Sequence, residues 1–160
     1  MSKFKNYVET KNRYKDLGEK LKRAREEFEK TLPFKSFDKY FFIDDKERIL
    51  ESEWHFYDTD ISRYNVGNVF TSVRQAEKEL LKRKLVASIA QFIRECYGDW
   101  EPDWGNNDEE KYSIESNGLY LFPKKTSRDT FNIFGYFKYE NECKKALELF
   151  NDDLYKWVNS

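Results

Sequence analysis

The fold of this chain is decided by the stretch Gly67-Asn68-Val69-Phe70-Thr71-Ser72-Val73-Arg74-Gln75-Ala76-Glu77-Lys78, which predicts a short apolar strand followed directly by a helix. Ser72 with Gln75 three residues later is typical of a capping box, which fixes the helix start. Much the same pattern recurs as Gly135-Tyr136-Phe137-Lys138-Tyr139-Glu140-Asn141-Glu142-Cys143-Lys144-Lys145-Ala146. Phe137 then takes the place of Phe70, and Cys143 that of Ala76. We therefore interpret the chain as one structural unit used twice.

A hairpin is predicted upstream of each pattern. Lys39-Tyr40 opens the first copy and Lys111-Tyr112 the second. The first hairpin turns at Asp44-Asp45, and the second at Asn117-Gly118, the strongest short hairpin signal. Residues 58–63 are polar and are predicted to form a loop. The expected fold is α+β, a mostly antiparallel sheet of about six strands with the two repeat helices on one face.

The predicted organisation begins with a helical, coiled-coil-like arm over residues 1–32. A duplicated α+β domain follows over 33–160, with repeat one at 39–97, an acidic linker at 98–110 and repeat two at 111–158. Residues of a heptad stripe recur along the arm: Tyr7, Tyr14, Leu21 and Phe28, with Thr10, Leu17, Ala24 and Thr31 three places after them. Such a stripe fits either a pairing arm or a helix lying on the protein's own sheet. Parallel self-pairing would bring Lys20 opposite Arg25 of a partner, which is repulsive.

The helix of repeat one carries an apolar stripe that is predicted to face a core: Leu81, Leu85, Ile89, Phe92 and Cys96. Cys96 and Cys143 are both expected on the apolar sides of helices, reduced and separate. Two cysteines and no signal-peptide pattern favour a cytoplasmic location. No apolar run approaches the ~18 residues of a membrane span, so no membrane association is expected.

Charge is segregated although the chain totals −1. Residues 1–30 hold ten Lys and Arg against six Asp and Glu, whereas residues 98–115 hold seven acids against Lys111 alone. Such patches steer partners even when the total cancels. Two sets of residues are therefore candidates for partner binding: in the linker Asp99, Trp100, Glu101, Asp103, Trp104, Asp108, Glu109 and Glu110, and in the arm Lys20, Lys22, Arg23 and Arg25. The alternatives are a solvated linker pinned by its two tryptophans and a solvated helix face.

Catalysis finds little support in the sequence. His55 is the lone histidine, and no Cys–His pair, phosphate-binding Gly-rich loop or zinc spacing is present. A calcium loop over the linker would need Gly where Trp104 stands. Pro102-Asp103 followed by Glu109-Glu110-Lys111 resembles a nuclease motif, but the separation is too tight for two neighbouring strands. No enzymatic activity, cofactor or metal is expected.

The stretch Gly67-Asn68-Val69-Phe70-Thr71, with Ala76-Glu77 and Arg83-Lys84 after it, resembles small uncharacterised phage and prophage proteins of Gram-positive bacteria. The likeness covers roughly residues 63–104 and 132–157, and the chain departs from it at Val73-Arg74-Gln75, where that family usually has acids. The resemblance implies an accessory phage protein that binds and disables a host machine, as anti-CRISPR proteins do. The resemblance implies no enzymatic activity.

Three functional classes follow from these observations. The first is a non-catalytic inhibitor of a host nucleoprotein, with a CRISPR-Cas nuclease as its expected target. The second is a nucleic-acid-binding accessory protein that uses the basic helix faces, either Lys20 to Arg25 or residues 74–84. The third is an oligomeric structural or interaction protein, with a homodimer formed through the N-terminal helix.

Overall fold

The computed structural model describes residues 2–32, 34–106, 108–118, 120–127 and 131–160. The chain is mixed α+β and divides into two compact units. The first consists of residues 1–42 and 50–71, and the second of residues 43–49 and 72–160. No described helix is long and apolar enough to cross a membrane.

The first unit begins with the long helix α1, Ser2–Thr31. Pairs of opposite charge four residues apart stabilise its surface, among them Asp16 with Lys20 and Arg25 with Glu29. Its heptad stripe is not covered, since Tyr14 and Leu21 are 72% and 73% exposed. The described residues of the first unit therefore leave the stripe exposed.

A hairpin of β1, Lys39–Ile43, and β2, Ile49–Glu53, follows α1 along the chain. Four buried aromatic side chains form the core of the first unit: Phe34, Tyr40, Phe42 and Trp54. Phe34 and Trp54 stack with their ring centroids 5.3 Å apart. The core thus joins the residues before β1 to those after β2.

The prediction of a loop at residues 58–63 is wrong. This segment lies in α2, Asp58–Asn65, whose first turn holds Asp58 and Asp60. Asp60 caps the helix start, because its Oδ2 atom accepts the backbone N–H of Tyr57 at 3.1 Å and that of His55 at 3.0 Å. Polar residues therefore mark a buried cap here and not a loop.

The second unit is built on α3, Val73–Tyr97, and on a hairpin of β3, Lys111–Ser116, and β4, Leu121–Thr126. It ends in α4, Glu140–Leu149, and α5, Asn151–Asn159. These elements share one core of buried side chains: Leu85, Ile89, Tyr112, Ile114, Phe134, Phe137, Cys143, Ala146 and Leu154. The hairpin turns at Asn117-Gly118 as predicted, and Ser72 caps α3 by accepting the Gln75 N–H at 3.3 Å.

Both copies contain a hairpin, a bridge segment and a helix in that order, but α2 stands between the hairpin and the bridge segment in the first copy only. In each, one residue pairs back to the hairpin in an isolated antiparallel bridge, Phe70 with Phe41 and Phe137 with Tyr112. Three residues after each bridge a helix begins, at Val73 and at Glu140. Phe137 is fully buried whereas Phe70 is half-buried.

The predicted single sheet of six strands is wrong, since the described strands form two separate two-stranded sheets. The third segment of each copy pairs at only one residue because a turn precedes it and a helix follows at once. The cysteine prediction is confirmed in part. Both thiols are free and Cys143 is buried, but Cys96 is exposed because it lies in the last turn of α3, beyond the buried Leu85 and Ile89.

Candidate protein-binding site

The described part of the acidic linker, residues 98–106 and 108–110, is folded around the carboxylate of Glu109. Its Oε1 atom accepts the indole N–H of Trp100 at 3.0 Å, and its Oε2 atom accepts the backbone N–H of Asp103 at 2.8 Å. Lys111 lies 3.2 Å from Oε2. The Trp100 and Asp103 donors and the Lys111 charge together lower the pKa of Glu109. Glu109 is therefore a structural acid that closes the loop.

Lys111 is the cation at the centre of this loop, and sequence analysis did not identify it as a site residue. Its side chain is only 2% exposed. The ammonium donates to the backbone oxygens of Asn106 and Glu109, at 3.0 and 3.1 Å, and lies 5.5 Å from the centre of the Trp104 ring. A buried ammonium requires such partners, because desolvation is costly without them. The sequence feature that could have identified Lys111 is that it is the single cation among seven acids in residues 98–115.

The two linker tryptophans are half-buried and held edge-on against neighbouring aromatic rings. Trp100 contacts Tyr97 with ring centroids 5.4 Å apart, and Trp104 contacts Tyr136 at 4.9 Å. An open groove of about 280 Å³ adjoins the linker, with a mainly apolar lining: Val86, Ile93, Trp100, Pro102, Ile133 and Tyr136. The linker thus borders a shallow apolar depression within the second unit.

The linker acids fall into two groups. Glu110 and Asp103 are engaged like Glu109: Glu110 pairs with Lys125 at 2.6 Å, and an Asp103 carboxylate oxygen accepts the Gly105 N–H at 2.9 Å. Three carboxylates are exposed and form no ion pair with any described residue: Asp99, Glu101 and Asp108. These three are the acids that the folded linker offers to a partner.

The four basic residues of α1 that were candidates for partner binding are all in ion pairs. Each has an acid four residues away on the same helix: Lys20 with Asp16, Lys22 with Glu26, Arg23 with Glu19 and Arg25 with Glu29, at 2.8, 3.9, 4.0 and 2.8 Å. Arg25 also lies over the Phe56 ring, 5.3 Å from its centre. On α3, Lys82 and Arg83 share Glu79. Cations that are paired in this way attract phosphate less strongly than unpaired cations would.

The first unit contains a buried polar network that sequence analysis also missed. Asp60 accepts the Tyr40 hydroxyl at 2.7 Å, and Arg63 donates to the same hydroxyl at 2.7 Å. Burial by itself would raise the pKa of Asp60, but the N–H of His55, the Tyr40 hydroxyl, the N–H of Tyr57 and the Arg63 charge outweigh it and lower that pKa. The network fastens α2 to β1.

His55, the one histidine, lies between two aromatic rings, at 5.2 Å from Phe37 and 5.3 Å from Tyr57. Its Nε2 atom is 3.6 Å from Glu53. Within the described ranges, no group of three or more His, Cys, Asp or Glu side chains is arranged to hold a metal ion.

Comparison with known proteins gives no relative. No protein family, curated protein or solved structure matches the chain.

Proposed function

We propose that this protein is a non-catalytic inhibitor that uses its acidic linker to occupy a basic, nucleic-acid-binding groove of another protein. The expected target is a host nucleoprotein, and the phage-like pattern of residues 67–84 favours a CRISPR-Cas nuclease. The observation that carries the proposal is the set of contacts that Lys111 and Glu109 make within the linker, where three exposed acids pair with no described residue and two tryptophans are half-buried.

Preorganisation is the physical reason why this loop suits binding. A flexible acidic segment loses conformational entropy when a partner orders it, whereas a loop that is already folded avoids most of that cost. The exposed carboxylates of Asp99, Glu101 and Asp108 would take the place of backbone phosphates. Their attraction is screened beyond about 8 Å at physiological salt. Trp100 and the adjoining groove would add apolar contact, and tryptophan is common among interface hot spots.

A direct nucleic-acid-binding role is less well supported. The four candidate basic residues of α1, Lys20, Lys22, Arg23 and Arg25, are each paired with an acid on the same helix. The release of counterions that drives protein–DNA association requires cations that are free to meet phosphates. Residues 98–110, meanwhile, would repel a phosphate backbone.

The test is guide-directed DNA cleavage by a panel of purified Cas nucleases, with and without this protein. We expect at least one nuclease to lose cleavage. The variant Asp99→Asn, Glu101→Gln, Asp108→Asn should lose the inhibition and keep its urea midpoint, because these acids form no ion pair with the residues that the structure describes. A matched control removes the same three charges from exposed acids elsewhere, as Glu9→Gln, Asp45→Asn, Glu148→Gln, and should still inhibit.

Three results would count against this function. Uninhibited cleavage across the panel would remove the Cas nuclease as target. Equal inhibition by the linker variant and its control would remove the acidic linker as the binding surface. Salt-dependent binding of the protein to random duplex DNA would favour the nucleic-acid-binding alternative.

A further inference from the structure

The apolar stripe of α1 has no role in the function proposed above. Leu17 and Leu21 are 55% and 73% exposed, and Tyr7 and Tyr14 are 64% and 72% exposed. Contiguous exposed apolar side chains on one helix face mark an interaction surface. The stripe runs from Tyr7 to Thr31, about three and a half heptads, which is the length over which a heptad pattern indicates a coiled coil.

A groove on α1 has the layout that coiled-coil packing requires. It has a volume of about 320 Å³ and is lined by Thr10, Arg13, Tyr14 and Leu17. In a coiled coil, each seam side chain of one helix inserts among four residues of the facing helix, and those four have this spacing. The groove is therefore one of the holes that a facing helix would fill.

We propose that α1 pairs with α1 of a second copy of this chain as an antiparallel two-stranded coiled coil centred on Leu17 and Leu21. Antiparallel alignment about this centre sets each large seam residue opposite a small one: Tyr7 opposite the partner's Thr31, Tyr14 opposite the partner's Ala24, and Phe28 opposite the partner's Thr10. Leu21 then meets the partner's Leu17. Parallel alignment would set Tyr14 against Tyr14 and Ala24 against Ala24, which alternates crowded and empty layers.

The flanking charges also separate the two alignments. Antiparallel pairing brings Arg13 next to the partner's Glu27 at both ends of the coiled coil. It also brings Lys20 next to the partner's Lys20 and Lys11 next to the partner's Arg25. Lys20 and Arg25 already pair with Asp16 and Glu29 on their own helix, which reduces that repulsion. Parallel pairing brings Lys20 next to the partner's Arg25, where the repulsion is reduced in the same way, but it offers no opposite-charge pair between the flanking positions.

The geometry of the chain permits the antiparallel arrangement. A helix of 30 residues is about 45 Å long. In an antiparallel pair, the segments that follow Thr31 in the two copies leave from opposite ends of the coiled coil, so they do not compete for space at one end. The helix dipoles also oppose each other, which is favourable.

Sedimentation equilibrium of the full chain tests the association. We expect a reversible dimer in the micromolar range, and Leu21→Glu should weaken it by at least about tenfold. The control Asn12→Glu adds the same carboxylate on the opposite face of α1 and should leave the dimer unchanged. Circular dichroism of both variants establishes that α1 stays helical. A full-length chain that is monomeric at all concentrations overturns the proposal.

Cross-linking tests the orientation in a Cys96→Ser background, because Cys96 is exposed. Under mild oxidation, an equimolar mixture of Arg13→Cys and Glu27→Cys should form the mixed disulfide dimer. A mixture of Lys20→Cys and Arg25→Cys should form it at least about tenfold more slowly. The reverse order of rates would show a parallel dimer and overturn the antiparallel proposal.

Discussion

The two hairpin–helix copies put different chemistry at one structural position. The isolated bridges make Phe41 equivalent to Tyr112, so Tyr40 of β1 corresponds to Lys111 of β3. Both side chains are buried, at 0% and 2% exposure. Tyr40 is satisfied by Asp60 and Arg63 from α2, which follows its hairpin. Lys111 is satisfied by the acidic linker, which precedes its hairpin.

This difference shows how a repeated scaffold becomes specialised. The hairpin, the bridge and a helix that begins three residues after it are common to both copies, whereas α2 and the linker each belong to one copy. Each of these copy-specific segments supplies the hydrogen-bond partners of the buried polar residue at the shared position. Between the two copies, the buried polar residue and the segment that supplies its partners therefore differ together.

The largest loss of stability is expected from a substitution at Lys111. Lys111→Ala removes a buried cation from the centre of the linker and leaves a cavity, so the second unit should lose about 3 kcal/mol in free energy of unfolding. Urea unfolding followed by tryptophan fluorescence measures the loss. The matched control is Lys39→Ala on the first hairpin, whose exposed pair with Glu51 should contribute little. Equal losses at the two positions would refute the special role of Lys111.

A smaller effect is expected at Tyr40. Tyr40→Phe removes one hydroxyl and leaves both Asp60 and Arg63 short of a buried partner, at a cost of about 1.5 kcal/mol. The comparison variant Tyr112→Phe removes a hydroxyl that donates to the exposed Glu110. It should cost less than half as much by urea unfolding. If Tyr112→Phe proved the costlier change, the network around Asp60 would not be what fastens α2.

The copies also differ in how their helices begin. Ser72 caps α3 through its side chain, whereas Tyr139 at the same place before α4 makes no side-chain cap bond. Ser72→Ala should therefore destabilise the protein by about 1 kcal/mol, and Ser72→Asp should restore most of it. Thermal unfolding by circular dichroism compares the three proteins. Unchanged stability in the alanine variant would show that the cap is dispensable.

Local signals in the sequence were sufficient to predict much of the fold. The stripe of α1, the cap at Ser72 and the turn at Asn117-Gly118 each depend on residues close together in the chain, and all three are present. The six-stranded sheet was not correctly predicted, because strand pairing depends on distant partners. The apolar residues around Phe70 and Phe137 fit a strand, yet each segment pairs at one residue only.

The two buried polar sites could not be predicted for a similar reason. Sequence comparison aligns Lys39-Tyr40 with Lys111-Tyr112, whereas the bridges align Tyr40 with Lys111. A shift of one residue exchanges the two faces of a strand. The sequence comparison therefore aligned Lys111 with the exposed Lys39, although its side chain is buried. Asp60 looked like a loop residue because its partner Tyr40 lies twenty positions away. The linker was identified as a candidate site, but the division of its acids into structural and free groups depends on contacts with Lys111, Lys125 and the backbone of Gly105.

The smallest expected effect concerns the exposed ion pair of the second hairpin, Glu110 with Lys125. Its hydrogen bonds from Lys125 and Tyr112 lower the pKa of Glu110, and the same pair raises the pKa of Lys125. A carboxylate whose pKa is lowered by folding stabilises the protein above its unfolded-state pKa, and that stability is lost as pH falls through the folded-state value. A lysine whose pKa is raised stabilises it below the unfolded-state pKa and loses this as pH rises through the folded-state value.

Glu110→Gln should therefore flatten the loss of stability below about pH 4.5, because glutamine does not titrate. The measurement is the urea midpoint between pH 6 and pH 3.5, in parallel for wild type and variant. Lys125→Met is the complementary variant and should flatten the alkaline limb above about pH 10. Lys39→Met should do the same through the first hairpin, since the hydrogen bond to Glu51 raises the pKa of Lys39. An acid limb that stays as steep in Glu110→Gln as in wild type would mean that Glu110 does not contribute. The acid sensitivity would then come from the carboxylates that hold the copy-specific segments, Asp60 in α2 and Glu109 in the linker, whose pKa values are also lowered.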